Sequence, residues 1–407
     1  MASLPSRPVH SPPAAVRAGL AVAVIGAGSR SQIALRVADA LPGSRVVAAV
    51  DTAEYGRERA RALFGNVAVY SSLSALIEAG GIDAAIVTTP DATHVAVATE
   101  LLQAGVAVYL EKPLAITVEG ADAVLTTAAE TGTPLYVGHN FRHSGVVRAL
   151  RDVVGRGEIG EVKTIWCRHF VGNGGDFYFK DWHAERRNVN SLLLQKASHD
   201  IDVIHFLAGG YTRRVVGMGD LMVYGQVTDR GTHPGETMED WLSLDNWPPE
   251  AQTRLNPTID VEDVSMMMMT LDNGVLASYQ QCHFTPDYWR NYTVIGDAGR
   301  IENFGDGPGD RIGLWNRRHE GYAEPDETVQ ITGDDSGHGG ADQQMMAEFL
   351  RFVRHGGRTD TSPIAARQAV AAAVTATRSL RGDGSALPVP ALDPALVAYF
   401  DGGQPSG

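Results

Sequence analysis

The stretch from Ala21 to Asp51, AVAVIGAGSRSQIALRVADALPGSRVVAAVD, constrains the fold of this chain more than any other. Val22, Val24 and Ile25 are short, branched and set among alanines, which suits a parallel strand buried on both faces. Gly26-Ala27-Gly28 follows at once, and Ile33 to Ala40 has helical apolar spacing. Val46 to Val50 reads as a second strand ended by Asp51. Each residue type has a job in a nucleotide-binding βαβ unit. Gly26 permits the tight turn, and Gly28 lets a pyrophosphate approach the backbone. The first helical N–H groups, from Ser29 and Arg30 onward, hold the phosphate charge with help from the helix dipole. Asp51 falls about 20–25 residues on, where a carboxylate accepts hydrogen bonds from ribose hydroxyls. The third fingerprint position is Ser31 rather than Gly or Ala, small enough for helix–sheet packing.

Chain length and charge narrow the setting. A chain of 407 residues exceeds one compact core, so two domains are expected. The net charge of −14 disfavours nucleic acid and anionic lipid as partners. Cys167 and Cys282 are far apart and show neither metal-ligand spacing nor a disulfide framework, which fits a cytoplasmic protein without a metal site. Residues 1–18 are rich in Pro, Ser and Ala and read as a disordered tail. The apolar run that follows is the first strand rather than a signal peptide, and no run is long enough to span a membrane.

Strict alternation of strands and helices then continues to about residue 139. Ala84 to Thr88, Val106 to Leu110 and Leu135 to Gly138 are strands, and Arg57 to Phe64, Leu73 to Ala79, His94 to Ala104 and Ala121 to Thr131 are helices. The expected fold is α/β: a Rossmann doubly wound parallel sheet over 19–139, then an α+β domain with an open mixed sheet over 140–402. In the second domain, Val146 to Val154 and Ser191 to Leu207 read as helices, and Gly172 to Gly175 as a loop. Val162 to Val171, Val264 to Leu271, Val275 to His283, Tyr292 to Gly296 and Arg311 to Trp315 read as strands. The proline-punctuated segment 229–260 reads as a long, lid-like loop, and helices from Gln343 to His355 and Ile364 to Leu380 close the fold. The run Met266 to Met269 reads as adaptable core or interface packing.

Four motifs resemble the Gfo/Idh/MocA family of NAD(P)-dependent oxidoreductases. They are GAGSRS after the first strand, TTPDATH after the fourth, EKP after the fifth and QKASHDID on the long helix of the second domain. The ending HGGAD and the terminal SLR helix also match. The resemblance implies a dinucleotide held by Gly26, Ala27, Gly28, Ser29, Arg30, Ser31, Asp51, Thr88, Thr89, Pro90, His94, Glu111, Lys112 and Asn140. It also implies dimers or tetramers built on the open sheet, and a Lys112 hydrogen-bonded to the reacting hydroxyl and the nicotinamide ribose. Lys112 stands at the carboxyl edge of a parallel strand, where ligands sit in open α/β sheets. Family members carry an Asp four residues before the helical His; here that position is Gln195, which takes no proton. Gln195, Lys196, His199 and Asp202 recur at spacings of three and four on the expected helix, so they share one face. Repulsion between Lys112 and Lys196, with burial, lowers the pKa of one of them, so a neutral lysine or His199 is the candidate base.

Candidate substrate contacts are Gln195 and three further clusters: Trp182, His183, Arg186, Arg187 and Asn190; His283 and Arg290; and Arg142. Aromatics and planar polar groups suit a sugar ring, and paired arginines suit an anionic substituent. Asp51 favours NAD over NADP, although Arg30, Arg57 and Arg59 are near enough in sequence to offset its charge. The sequence therefore leaves three readings: an NAD-dependent sugar dehydrogenase, a redox-neutral NAD-dependent glycoside hydrolase, and a cofactor-binding regulator without catalysis.

Overall fold

The computed structural model describes residues 19–333 and 340–407. The expected tail at 1–18 lies outside the described residues, as do His338 and Gly339 of the HGGAD motif. Ala21–Ile25 (β1), Arg45–Val50 (β2), Ala68–Tyr70 (β3), Ala84–Val87 (β4), Ala107–Leu110 (β5) and Leu135–Val137 (β6) form a parallel sheet ordered β3-β2-β1-β4-β5-β6. Every residue of β4 and β5 is buried, which is why these runs show no polar alternation. The order reverses between β1 and β4. Gly26, Thr88 and Glu111 thus follow three adjacent strands at one edge, the position where open α/β sheets take ligands.

One face of this sheet is covered by a helix from the far end of the chain. Met345, Met346, Phe349, Leu350, Phe352 and Val353 of Ala341–His355 pack with Val22, Val24, Tyr109 and Tyr136. The Phe349 ring lies 5.5 Å from Tyr109 and 5.7 Å from Tyr136. The nucleotide-binding half is therefore not one continuous segment, and a single cut at residue 139 separates its strands from a helix that covers them.

The second half is a sheet of nine strands: Val162–Phe170 (β7), Thr212–Asp220 (β8), Val264–Leu271 (β9), Leu276–Cys282 (β10), Trp289–Gly296 (β11), Arg300–Phe304 (β12), Arg311–Trp315 (β13), Glu327–Gln330 (β14) and Leu387–Pro388 (β15). Only β7 and β10 pair in parallel, so the sheet is mixed. Ser198–Ala208 and Pro363–Arg381 pack on one face. The other face carries Trp166, Met218, Met266, Met268 and Leu276, all exposed, with Met268 at 68%. The methionine run is thus split by the period of the strand: Met267 and Met269 face the core, while Met266 and Met268 face out.

Three expectations need correction. The first helix is a 3₁₀ wind over Ser29–Arg36 that becomes α-helical only at Val37–Ala40, because Ser31 folds back on Gly28 with an i→i−3 bond of 3.0 Å. The segment 191–207 is not one helix but two, Leu192–Gln195 and Ser198–Ala208, with Lys196 and Ala197 at the break. The carbonyl of Gln195 is taken there by Lys112 Nζ at 3.0 Å. The supposed loop at Gly172 to Gly175 runs into a short helix, Gly174–Tyr178. The segment after β8 does form a long excursion. It is pinned at its base by a bridge between Arg230 and Leu255 and contains short helical turns at Met238–Trp241 and Pro249–Ala251.

Candidate active site

The glycine turn is built as its sequence requires. Gly26 has φ +88, and a Cβ there would meet Thr89 at 2.8 Å, so only glycine fits. At Gly28, by contrast, a Cβ would find nothing within 4 Å, which leaves open space against the backbone. Asp51 Oδ2 accepts from Ala27 N and Oδ1 from Ala53 N, both at 2.9 Å, and Gly56 gives the carboxylate room. Ser31 is fully buried and its hydroxyl donates to Gly28 O at 2.7 Å, so serine closes the turn where a third glycine is usual. An open cradle over Gly28, flanked by a helix start and an acid, fits the pyrophosphate and ribose of a dinucleotide.

The arginines that might offset Asp51 are engaged elsewhere. Arg30 bonds Glu111 Oε1 at 2.5 Å and both oxygens of Asp342 at 2.7 and 3.0 Å. Arg57 donates to the carbonyls of Asp51 and Thr52 and pairs with Glu54. Arg59 donates to Ala27 O at 3.0 Å and Gly235 O at 2.9 Å. None is left to meet a 2′-phosphate, and Asp51 would repel one.

The remaining cofactor candidates brace the edge of the sheet. Thr88 Oγ1 donates to Gly26 O at 2.7 Å, and Thr89 Oγ1 accepts from Thr93 at 2.8 Å. Pro90 caps the turn Asp91–Thr93. His94 is buried, with its ring nitrogens 3.0 Å from Thr89 O and 2.8 Å from Pro113 O, tying the loop after β4 to that after β5. Glu111 also accepts from the Tyr109 hydroxyl and from Lys112 N. Asn140 Nδ2 reaches Asp342 Oδ1 at 3.4 Å, while its Oδ1 is buried without a hydrogen-bond partner.

Lys112, Lys196 and His199 converge from the two halves of the chain. Burial, opposed by Asp91 and Glu111, lowers the pKa of Lys112. Lys196 sits 5.6 Å from the Tyr178 ring centroid; burial, then the positive Arg290 and Lys112, bring it down to about 7. His199 is held well below the ordinary histidine range by burial and then by Lys112, Arg290 and Lys196, so it is neutral. Its Nδ1 is buried without a hydrogen-bond partner, as are Gln195 Oε1 and both ring nitrogens of His139, whose Nδ1 lies 3.7 Å from Asp202 Oδ2. The His139 and His199 rings lie 6.4 Å apart, and Phe141 packs 4.9 Å from His199. Unpaired buried polar atoms are costly, and their clustering here marks a cleft shaped for a polar guest.

The substrate candidates divide into two groups. Arg290 is buried at this cleft, stacked 4.1 Å over Phe141, with Nε 2.8 Å from Asp200 Oδ1 and Nη1 3.0 Å from the Tyr288 hydroxyl. His283 lies 5.1 Å from Tyr178; its Nε2 has no partner, and burial lowers its pKa to about 3. His183 sits beside Trp182, with its ring 5.5 Å from that of Tyr178, and is held by Asp181 at 2.5 Å. Four others serve the framework. Arg142 is locked in a bidentate pair with Asp202 at 2.7 and 2.8 Å and donates to Asp360 O, so each of its three nitrogens is already engaged by the framework. Arg186 bonds Glu262, Arg187 pairs with Glu185 at 2.7 Å in solvent, and Asn190 ties Ile116 O to Arg381. Asp202, expected beside His199, turns away toward Arg142.

Sequence reasoning passed over several participants. Asp200 accepts from Tyr292 at 2.5 Å and anchors Arg290; burial alone would raise its pKa, but Arg290 and His169 hold it well below the usual carboxylate range. Its signal was available, since it follows His199 directly in QKASHDID. Asp91 is buried with Oδ2 unpartnered, and burial raises its pKa. Tyr178 and His139 carried no motif.

Fold and site together define a two-domain NAD-dependent oxidoreductase. Residues 20–139 match the model of the oxidoreductase family with NAD-binding Rossmann fold (GFO_IDH_MocA), and residues 147–302 match the GFO/IDH/MocA C-terminal domain. The chain belongs to the Gfo/Idh/MocA family, and its cofactor is NAD. Among its relatives is YteT of Bacillus subtilis (strain 168), described as an oxidoreductase, 26% identical over 307 residues. That alignment covers 66% of this chain and 72% of YteT. An inositol 2-dehydrogenase of Ralstonia nicotianae is 32% identical over 193 residues, 47% of this chain and 55% of that enzyme. The structure of levoglucosan dehydrogenase in complex with NADH and levoglucosan has the same fold, with a TM-score of 0.75 at 18% identity, covering 92% of this chain and all of that one.

Proposed function

We propose that this protein transfers a hydride between a hydroxyl-bearing carbon of a sugar or sugar derivative and NAD. The observation that carries the reading is the meeting of Lys112, Lys196 and His199 at the switch-point edge of the nucleotide-binding sheet. The inositol and levoglucosan dehydrogenases among its relatives support the substrate class. NAD, when bound, supplies the hydride acceptor. Lys112 uses one of its three N–H donors on Gln195 O, leaving others for the oxygen of a bound hydroxyl. Lys196, poised between charged and neutral, takes the hydroxyl proton. His199 stays neutral and offers a ring nitrogen as acceptor, which orients the hydroxyl. Asp200 and Phe141 hold Arg290, which keeps the cleft positive. Incubation with NAD and a panel of sugars, polyols and their acids tests the reading, because NADH absorbance must appear with at least one. Absence of NADH throughout, with NAD bound, counts against it.

A second reading, redox-neutral glycoside hydrolysis, is favoured by one observation. Gln195 stands where the family resemblance implies a proton-accepting Asp, and the half-neutral Lys196 beside it suits removal of a proton from carbon. That reaction releases an aglycone without net NADH and carries solvent deuterium into the sugar; an anionic substituent would suit the positive cleft. We place either chemistry in the cytoplasm, in line with the free Cys167 and Cys282. Among the described residues, no helix is long and apolar enough to cross a membrane. Homodimers or homotetramers belong to the same proposal, built on the exposed face carrying Trp166, Met218, Met266 and Met268.

A further inference from the structure

The excursion between β8 and β9 does not stay with its own sheet. Its root is fixed by Asp263, whose carboxylate accepts from the backbone of Met222, Val223 and Tyr224 at 2.7 to 2.8 Å. A second anchor is the buried Asp176, which pairs with Lys180 at 3.2 Å. Asp176 takes Asn246 on Oδ1, Gln252 on Oδ2 and the Trp241 indole on its carbonyl. Between these anchors the chain crosses to the nucleotide-binding half and touches it at three points. Gly235 O accepts from Arg59, whose other nitrogen holds Ala27 O inside the glycine turn. Glu239 accepts from Gln32, on the wind that follows Gly28, at 3.1 Å. Gly235 also lies against Tyr55, with 3.5 Å between a built Cβ and the Tyr55 Cβ.

These three points surround one place. Ala27 and Gln32 flank the cradle for the pyrophosphate, and Tyr55 follows Asp51, the ribose acid. The crossing tip is internally stiffened. Thr237 and Asp240 form a reciprocal cap, and His233 is held by Glu236 and by Arg254 O while its ring packs 4.5 Å from Trp241. We propose that the segment 232–247 is a clasp that closes the adenosine end of the NAD site, so that the dinucleotide leaves only when this clasp lifts. It deepens the proposed function, resting on the same NAD site. Loading and release of NAD are thereby set by contacts far from the reacting atoms. Two of these contacts are hydrogen bonds and the third is a carbon contact against Tyr55, the kind of light attachment that a segment able to lift and reclose requires.

The distance between Tyr55 and Gly235 makes the test direct. A Cβ–Cβ separation of 3.5 Å lies at the edge of disulfide range, roughly 3.5–4.5 Å. The native cysteines are out of the way, Cys167 being buried and Cys282 partly so. The full chain carrying Tyr55→Cys and Gly235→Cys is loaded with the fluorescent etheno analogue of NAD, then oxidised. Release is followed on adding excess unlabelled NAD, before and after reduction with dithiothreitol. The clasp predicts release slowed roughly tenfold or more in the oxidised form and restored by reduction, with the single-cysteine proteins insensitive to either treatment. Equal release rates in the two redox forms overturn it. Because Gly235 has φ +78 and resists a side chain, the pair Gln32→Ala and Glu239→Ala gives an independent arm. Release there should quicken severalfold, and an unchanged rate also overturns the clasp. Failure of every sugar to yield NADH would remove the proposed reaction while leaving these release rates as they are.

Discussion

Replacing Lys196 with methionine removes the one amine in the cleft that titrates near neutrality. Two effects set its pKa at about 7: burial, which disfavours the ammonium, and the positive Arg290 and Lys112. A lysine at that value is half neutral at pH 7, whereas one at the ordinary 10.4 is neutral in about one molecule in a few thousand. The gain in available base is therefore on the order of 10³, which matches the 10²–10⁴ ascribed to general base catalysis. In the direction of hydroxyl oxidation, kcat/KM of the wild type should climb with pH and level off above about 7, since only neutral Lys196 accepts the proton. Lys196→Met keeps an unbranched apolar stem of nearly the same length while removing the ammonium that lies over the Tyr178 ring. It should lower kcat by roughly 10²–10³ and flatten that rise, with NAD affinity nearly unchanged. Lys196→Arg, permanently charged, should be equally slow and equally flat. The assay is initial-rate NADH formation from pH 5.5 to 9 with the sugar that turns over. A methionine variant that retains the wild-type pH profile refutes the assignment and moves the base to another group.

Other outcomes follow from contacts already described. Gly28→Val should abolish NAD binding in calorimetry while leaving the melting temperature unchanged, because a Cβ there meets only open space; Gly26→Val should instead destabilise the fold, at φ +88 against Thr89. Arg290→Met should cost about 3–5 kcal/mol of stability by leaving Asp200 buried and unpaired, and adding Asp200→Asn should recover part of it in denaturant titrations. Met268→Glu with Trp166→Glu should shift the protein to monomers in sedimentation, with its fold intact by circular dichroism; an unchanged oligomer would move the interface elsewhere.

Much of this arrangement was legible in the sequence, and the reasons differ by element. The β1 turn and Asp51 announce themselves because backbone geometry leaves few residue choices there. Lys112 is legible because Pro113 ends its strand at the ligand edge. The helix around His199 was misread because periodicity cannot report a break caused by Lys112, distant in sequence, taking the Gln195 carbonyl. The same holds for Arg142: a cation after a strand looks available until Asp202 is found across from it. β8 was overlooked because charged and glycine residues along it blur the alternation, and β12 because it has five residues, three of them charged or amide-bearing. Pairings between segments far apart in the chain are what local pattern cannot supply.

The helix Ala341–His355 has a consequence for how this protein comes into being. Its aromatic and methionine side chains complete a layer whose strands were translated some two hundred residues earlier, so the amino-terminal sheet emerges from the ribosome with one side only partly covered, by Ile33, Ala34, Val37 and Ala60. An isolated fragment ending at residue 139 should be sticky and poorly soluble for that reason. Recombination that swaps catalytic specificities would have to splice in the middle section and keep both flanks, treating the second sheet as a cassette lodged within the first.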